Sequence, residues 1–104
     1  MPSNGIWHRI HTHEKQHVLA AADEEIVGKT LREGKIVFHV SKEFYAKKAI
    51  TMKKLKELLE EYDNINLVGE RCIHAAREKG IIEKEGGIIL LSGVPHAQVY
   101  KLNP

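Results

Sequence analysis

Along the chain, apolar positions first alternate and then repeat at helical spacing. Trp7–His13 and Gln16–Ala22 predict two short strands around a turn at Glu14–Lys15. Val18–Leu19–Ala20–Ala21–Ala22 is apolar without interruption, as a central strand is. Asp23 then stands as an N-cap, with Glu24 and Glu25 in the first turn of a short helix that Gly28 ends; acids there suit the helix dipole. Lys29–Gly34 reads as a connecting turn. Lys35–Val40 is a strand built on Ile36, Val37, Phe38 and Val40, and Ser41–Ile50 is less regular, with room for another short strand.

Thr51 caps the clearest helix. Met52, Leu55, Leu58, Leu59 and Tyr62 fall on one helical stripe. Asp63–Asn64 interrupts it. A second helix is expected from about Asn66 to Lys79, stopping at Gly80, with Gly69, Cys72 and Ala76 as a face of small residues. Gly86–Gly87 is a turn, and Ile88–Leu91 and Ala97–Leu102 close as a hairpin across Ser92–Gly93–Val94–Pro95. This order predicts one α+β domain over residues 6–102. Its expected architecture is a small, mostly antiparallel sheet with two main helices packed on one face. Residues 1–5 and 103–104 are expected to fray.

Composition narrows the class. With 42% apolar and 29% charged residues the chain is globular rather than disordered. No apolar run approaches the ~20 residues of a membrane span, so no membrane partner is expected. Cys72 is the single cysteine, which rules out an intrachain disulfide and points to a reducing cytoplasm. The net charge of +2 is too small to predict a nucleic-acid partner by itself. The sequence holds no P-loop, G-x-S-x-G, H-E-x-x-H or C-x-x-C, which lowers the case for the common hydrolases, nucleotide-binding enzymes and zinc ribbons. No cofactor is expected.

Four groups of residues carry candidate chemistry. His8, His11, His13 and His17 lie close together, and three imidazoles on one side of a hairpin could hold a transition metal. The plainer reading is an exposed, histidine-rich edge. A one-residue slip of register would separate His17 from His11 and His13, and no metal site is assigned. Cys72 and His74 are two apart on a helix and point in different directions, so a small buried thiol is expected rather than a nucleophile.

The third group is a charge gradient. Lysines 42, 47, 48, 53, 54 and 56 precede Glu57, Glu60, Glu61 and Asp63, which sets the Thr51 helix against its own dipole. A bound anion would compensate. Thr51, Lys47, Lys48, Lys53 and Lys54 form a candidate phosphate seat, and Lys29 and Arg32 extend the track. The alternative is a solvated face. The fourth group is the turn Gly93–Val94–Pro95–His96–Ala97–Gln98. It places His96 and Gln98, with Tyr100 after them, on one face of a strand, either to recognise a ligand or to satisfy backbone groups in the turn.

Several blocks resemble a known family. Ala22–Asp23–Glu24–Glu25 with Gly28–Lys29–Thr30, Arg32–Glu33–Gly34, Asn66–Leu67–Val68–Gly69–Glu70–Arg71 and Gly93–Val94–Pro95–His96–Ala97–Gln98 are similar, in order, to the archaeal domain-of-unknown-function family number 424. The resemblance covers nearly the whole chain and implies an archaeal cytoplasmic protein without implying a reaction. It raises Glu70, Arg71, His96 and Gln98 as site residues. The histidine cluster is not among the matching blocks. The function expected is a non-catalytic RNA-binding or ribosome-associated module of translation. In it lysines hold phosphate, and Arg71, His96 and Gln98 give specificity. Two alternatives are an enzyme using Glu70, Arg71 and His96, and a protein-interaction domain docking through the charge gradient.

Overall fold

A computed structural model describes residues 5–82 and 87–101. The elements run β1 (Ile6–His13), β2 (Gln16–Asp23), a single 3-10 turn (Glu24–Ile26), β3 (Thr30–Glu33) and β4 (Ile36–His39). There follow α1 (Lys42–Tyr45), β5 (Lys48–Ile50), α2 (Met52–Glu61), β6 (Asn64–Val68), α3 (Glu70–Glu78), β7 (Ile88–Leu91) and β8 (Val94–Tyr100). Six strands form one sheet in the order β5-β1-β2-β6-β8-β7, and β3 and β4 form a separate hairpin. Within the large sheet β2 and β6 are parallel and the other pairs antiparallel.

This corrects the expected architecture. The fold is mostly β: of the described residues 46% are in strands, with a curled six-stranded half-barrel and three short helices among them. It is not a small, mostly antiparallel sheet with two main helices packed on one face. Both faces are covered at the centre of the sheet, and the strands there show it residue by residue. On β2, Leu19 and Ala21 join Ile65 and Leu67 of β6 in a core shared with Leu55 and Leu59 of α2 and Cys72, Ile73 and Ala76 of α3. Ala20, Ala22 and Val68 point the other way, into a second core with Leu31 of β3, Val40 and Tyr45 of α1. A strand buried on both sides reads as an unbroken apolar run, which explains Val18–Ala22.

Two strands were hidden in the sequence. Leu31 is the one buried residue of β3, among exposed Thr30, Arg32 and Glu33, too little apolar pattern to mark a strand in the expected turn Lys29–Gly34. Asn66–Val68, expected as the start of a helix, is the end of β6. The small-residue face of α3 extends back onto Val68 at helical spacing, so periodicity alone does not separate them. The break is Gly69, whose φ of +114° no helix contains. The closing hairpin is tighter than expected. Ser92 and Gly93 both have positive φ, as a two-residue type I′ turn requires, so β8 begins at Val94 rather than Ala97. Residues 1–4, 83–86 and 102–104 lie outside the described residues, and with them most of the expected frayed ends, Gly86 of the expected turn and Leu102 of the last strand. Gly5 is tied in, its carbonyl accepting from the Glu24 N–H at 3.1 Å.

Helix α2 matches its expected stripe, with Leu55, Leu58 and Leu59 buried and Thr51 Oγ1 accepting from the Lys54 N–H at 3.0 Å. Its reversed charge is compensated from outside the helix. Lys101 Nζ donates to the Leu59 carbonyl at 2.6 Å, placing a cation on the C-terminal carbonyls, and Lys79 Nζ lies 2.7 Å from Glu60. Among the described residues no helix is long and apolar enough to cross a membrane.

Candidate functional site

The parallel strands β2 and β6 end side by side, at Asp23 and Val68. There the chain turns through Gly69 into α3. Gly69 has no side chain with which to cap that helix, and Asp23 does so from the end of β2. Its carboxylate accepts from the Arg71 N–H at 2.9 Å and the Cys72 N–H at 3.1 Å. It is buried, the one charged residue in the core among the described residues. The Arg71 guanidinium lies 3.4 Å from the same carboxylate and closes on Glu25 at 2.6 Å. The bond to Glu25, with its charge, holds Arg71 above its usual pKa. Burial, and then Asp23, push the Cys72 thiol well up, so it is an inert packed residue, as expected. Asp23 was expected to cap the 3-10 turn that follows it, but makes no side-chain cap bond there.

This junction changes the standing of the predicted polar residues. Arg71 is occupied by two carboxylates. His96 points to the other face of the sheet, where Nδ1 donates to the Leu67 carbonyl at 3.0 Å and the ring lies 4.7 Å from Phe38. Among the described residues no hydrogen bond or ion pair joins Glu70, Arg71 and His96, and Glu70 is exposed at the first turn of α3. The acid, clamp and base of the enzyme reading are therefore not assembled. Gln98 is exposed on β8.

His96 carries a pH expectation. Burial holds its pKa below the ordinary 6.5, against the pull of its bond to Leu67. The unfolded chain therefore takes up this proton at higher pH than the folded one. The neutral ring's contribution is complete above about pH 6.5 and is lost as pH falls through the lower folded value. Urea unfolding should show stability dropping between about pH 7 and pH 5, with a smaller drop in His96→Gln. Equal slopes in the two proteins would contradict this.

The basic residues divide into separate places. Thr51 and the Lys54 N–H are bonded to each other, and Lys54 Nζ lies 3.7 Å from Glu57, so part of the expected seat at the start of α2 is already used; Lys53 is exposed beside it. Lys29 and Arg32 belong to the β3 side. The Arg32 N–H donates to Ser92 Oγ at 2.9 Å, next to β7, at the opposite edge of the sheet from β5. The structure does not gather them into one track. It does place Lys47 and Lys48 at the β5 edge, where with His8, Arg9 and Ile10 they line a hollow of about 270 Å³. Two supports hold it open: His8 Nδ1 donates to the Lys48 carbonyl at 2.8 Å, and Arg9 donates to the Glu43 carbonyl at 3.0 Å. Sequence reasoning missed Arg9 and His8 here because only strand pairing brings residues 8–9 to residues 47–48.

The histidines do not converge. The register sets His17 opposite Thr12 and His13 opposite Gln16, so His17 faces away from His11 and His13. His11 Nε2 donates to the Phe44 carbonyl at 2.8 Å and its ring stacks on Phe44. Among the described residues no three His, Cys, Asp or Glu side chains are placed to hold a metal ion.

The family model described as a protein of unknown function, DUF424, matches residues 10–102. The fold is similar to the crystal structure of an uncharacterized conserved protein from Methanopyrus kandleri. That protein is 30% identical, the match covers 96% of each chain, and the TM-score is 0.74. No curated protein matches the chain.

Proposed function

We propose that this chain, which belongs to the DUF424 family, is a non-catalytic RNA-binding module of the cytoplasm, holding phosphate at the β1–β5 edge. The observation that carries this reading is the hollow lined by His8, Arg9, Ile10, Lys47 and Lys48: four nitrogen-bearing side chains and no acid. A phosphate there meets positive charge from two elements far apart in sequence, held in place by the backbone pairing of His8 with Lys48. The remaining predicted lysines contribute general attraction rather than a seat. Ribosomal RNA is one such target.

The test is binding of a single-stranded RNA oligomer by fluorescence anisotropy across a series of salt concentrations. The double variant Lys47→Glu, Lys48→Glu should bind at least tenfold more weakly. Its plot of log affinity against log salt should be shallower by about 1.4, from ~0.7 per lost phosphate contact. Unchanged affinity would sink the proposal.

A second reading, a protein-interaction module, has its own observation. The edge strand β7 carries no charge, and its Ile89 and Leu90 are about half exposed, at 50% and 58%. The charge gradient does not serve this reading, because Lys54, Lys56, Lys79 and Lys101 pair with groups on α2 and α3. A partner captured from an archaeal lysate and retained after nuclease treatment would favour it.

A further inference from the structure

We infer that the open half of the sheet face opposite α2 and α3 reads the bases of single-stranded RNA through Gln16, Asn64, Gln98 and Tyr100. This rests on the RNA-binding reading and assigns the part of RNA that the basic hollow does not touch.

The face follows from register. Residues paired across strands point to the same side of a sheet. His11 pairs with Val18, Val18 with Asn64, and Asn64 with Tyr100, which makes one row across β1, β2, β6 and β8. The next row is Arg9, Ala20, Asn66 and Gln98. With strands ~4.8 Å apart, each row is roughly 14 Å across. Helix α1 covers one end of this surface. Phe44 stacks on His11, and Tyr45 donates its hydroxyl hydrogen to Asn66 Oδ1 at 2.5 Å. Beyond α1 the cover stops: Gln98 is exposed and Tyr100 is 71% exposed.

What remains there is uncharged, planar and rich in donors and acceptors. Among the described residues, the side chains of Gln16, Asn64, Gln98 and Tyr100 make no hydrogen bond within the protein, in contrast to His11, Asn66 and His96 on the same face. Amides exchange water for a base edge with little penalty, and a tyrosine ring offers a surface on which a base stacks. Gln16, Asn64 and Tyr100 also line a hollow of about 470 Å³ at the end of the sheet, within the range of small-molecule sites.

The charges around that hollow choose which part of RNA enters. Its wall holds Glu61, Asp63 and one lysine, Lys15. The two carboxylates outnumber the lysine and repel phosphate, so the backbone passes outside and the base goes in. A carboxylate accepts from a base amino group, which adenine, cytosine and guanine have and uracil lacks. The basic hollow begins at His8, toward one end of β1, and Lys15, in the turn just beyond the other end, offers a cation to the backbone from the wall of the larger hollow. From His8 to His13 the strand spans roughly 17 Å at ~3.3 Å per residue, a distance that a few nucleotides bridge. Positive charge at both ends with a neutral, stacking surface between them suits a single strand better than a duplex, whose bases are turned inward.

The test uses the full chain with fluorescein-labelled ten-nucleotide homopolymers of A, C and U across a series of salt concentrations. A and C should bind about tenfold tighter than U, and the pair Glu61→Gln, Asp63→Asn should narrow that gap. Tyr100→Ala should weaken binding about tenfold without changing the salt slope, and Tyr100→Phe, which keeps the ring, should restore it. Equal affinity for the three homopolymers, or a Tyr100→Ala variant that binds like the parent, overturns the inference and leaves RNA binding at the basic edge standing. Absence of binding to every homopolymer overturns both.

Discussion

Gly69→Ala is expected to lower the unfolding free energy by about 3 kcal/mol or more, a fall in Tm of roughly 15 °C for a domain of this size. Two effects act together. The backbone at Gly69 has φ +114° and ψ 155°, a region open essentially to glycine alone, where another residue is strained by about 1–3 kcal/mol. A Cβ at this position would also lie 2.3 Å from Asp23 Cγ, so the buried carboxylate would have to leave. Thermal melting followed by circular dichroism checks the expectation. A fall of only two or three degrees would mean that the junction tolerates a side chain.

The second large effect is at the other half of the same contact. Asp23→Ala should destabilise by about 3 kcal/mol, because it leaves the Arg71 and Cys72 N–H groups without their acceptor at a buried helix start. Asp23→Asn keeps one oxygen and should lose less. The two substitutions should not add. Asp23→Ala removes the two tightest contacts of a Cβ at residue 69, those with Cγ and Oδ1, and leaves only the one with the Cβ of residue 23, so the double variant should be more stable than the sum of the single losses implies. Additive losses would show that Gly69 and Asp23 act separately.

Local pattern carried the elements that lie in one stretch of chain. The β1–β2 hairpin, the stripe of α2, the stop at Gly80 and the closing hairpin were legible, because each depends on neighbours within a few residues. What escaped depends on partners far away. Strand β6 is short, and Val68 fits the helical spacing of α3. Strand β3 has one buried side chain. Asp23 has the right chemistry for a cap, but nothing local says that the helix it caps begins 47 positions later. The predicted sites divide in the same way. Lys47 and Lys48 were legible as charge, whereas Arg9 and His8 join them only through the β1–β5 pairing. Gln98 and Tyr100 were placed correctly on one face by alternation along β8. Gln16 and Asn64 beside them needed the register of two other strands, β2 and β6.

The borrowed cap also ties together the order in which the chain acquires structure. Helix α3 has nine residues, too short to persist alone in water, and its N-terminal N–H groups find their acceptor on a strand completed some 48 residues earlier. The β1–β2 and β7–β8 hairpins are local and can form early. Helix α3 becomes stable only when β2 and β6 have met. Fraying of α3 and separation of the central parallel pair are therefore one cooperative opening, and amide hydrogens in both elements exchange with solvent through the same event.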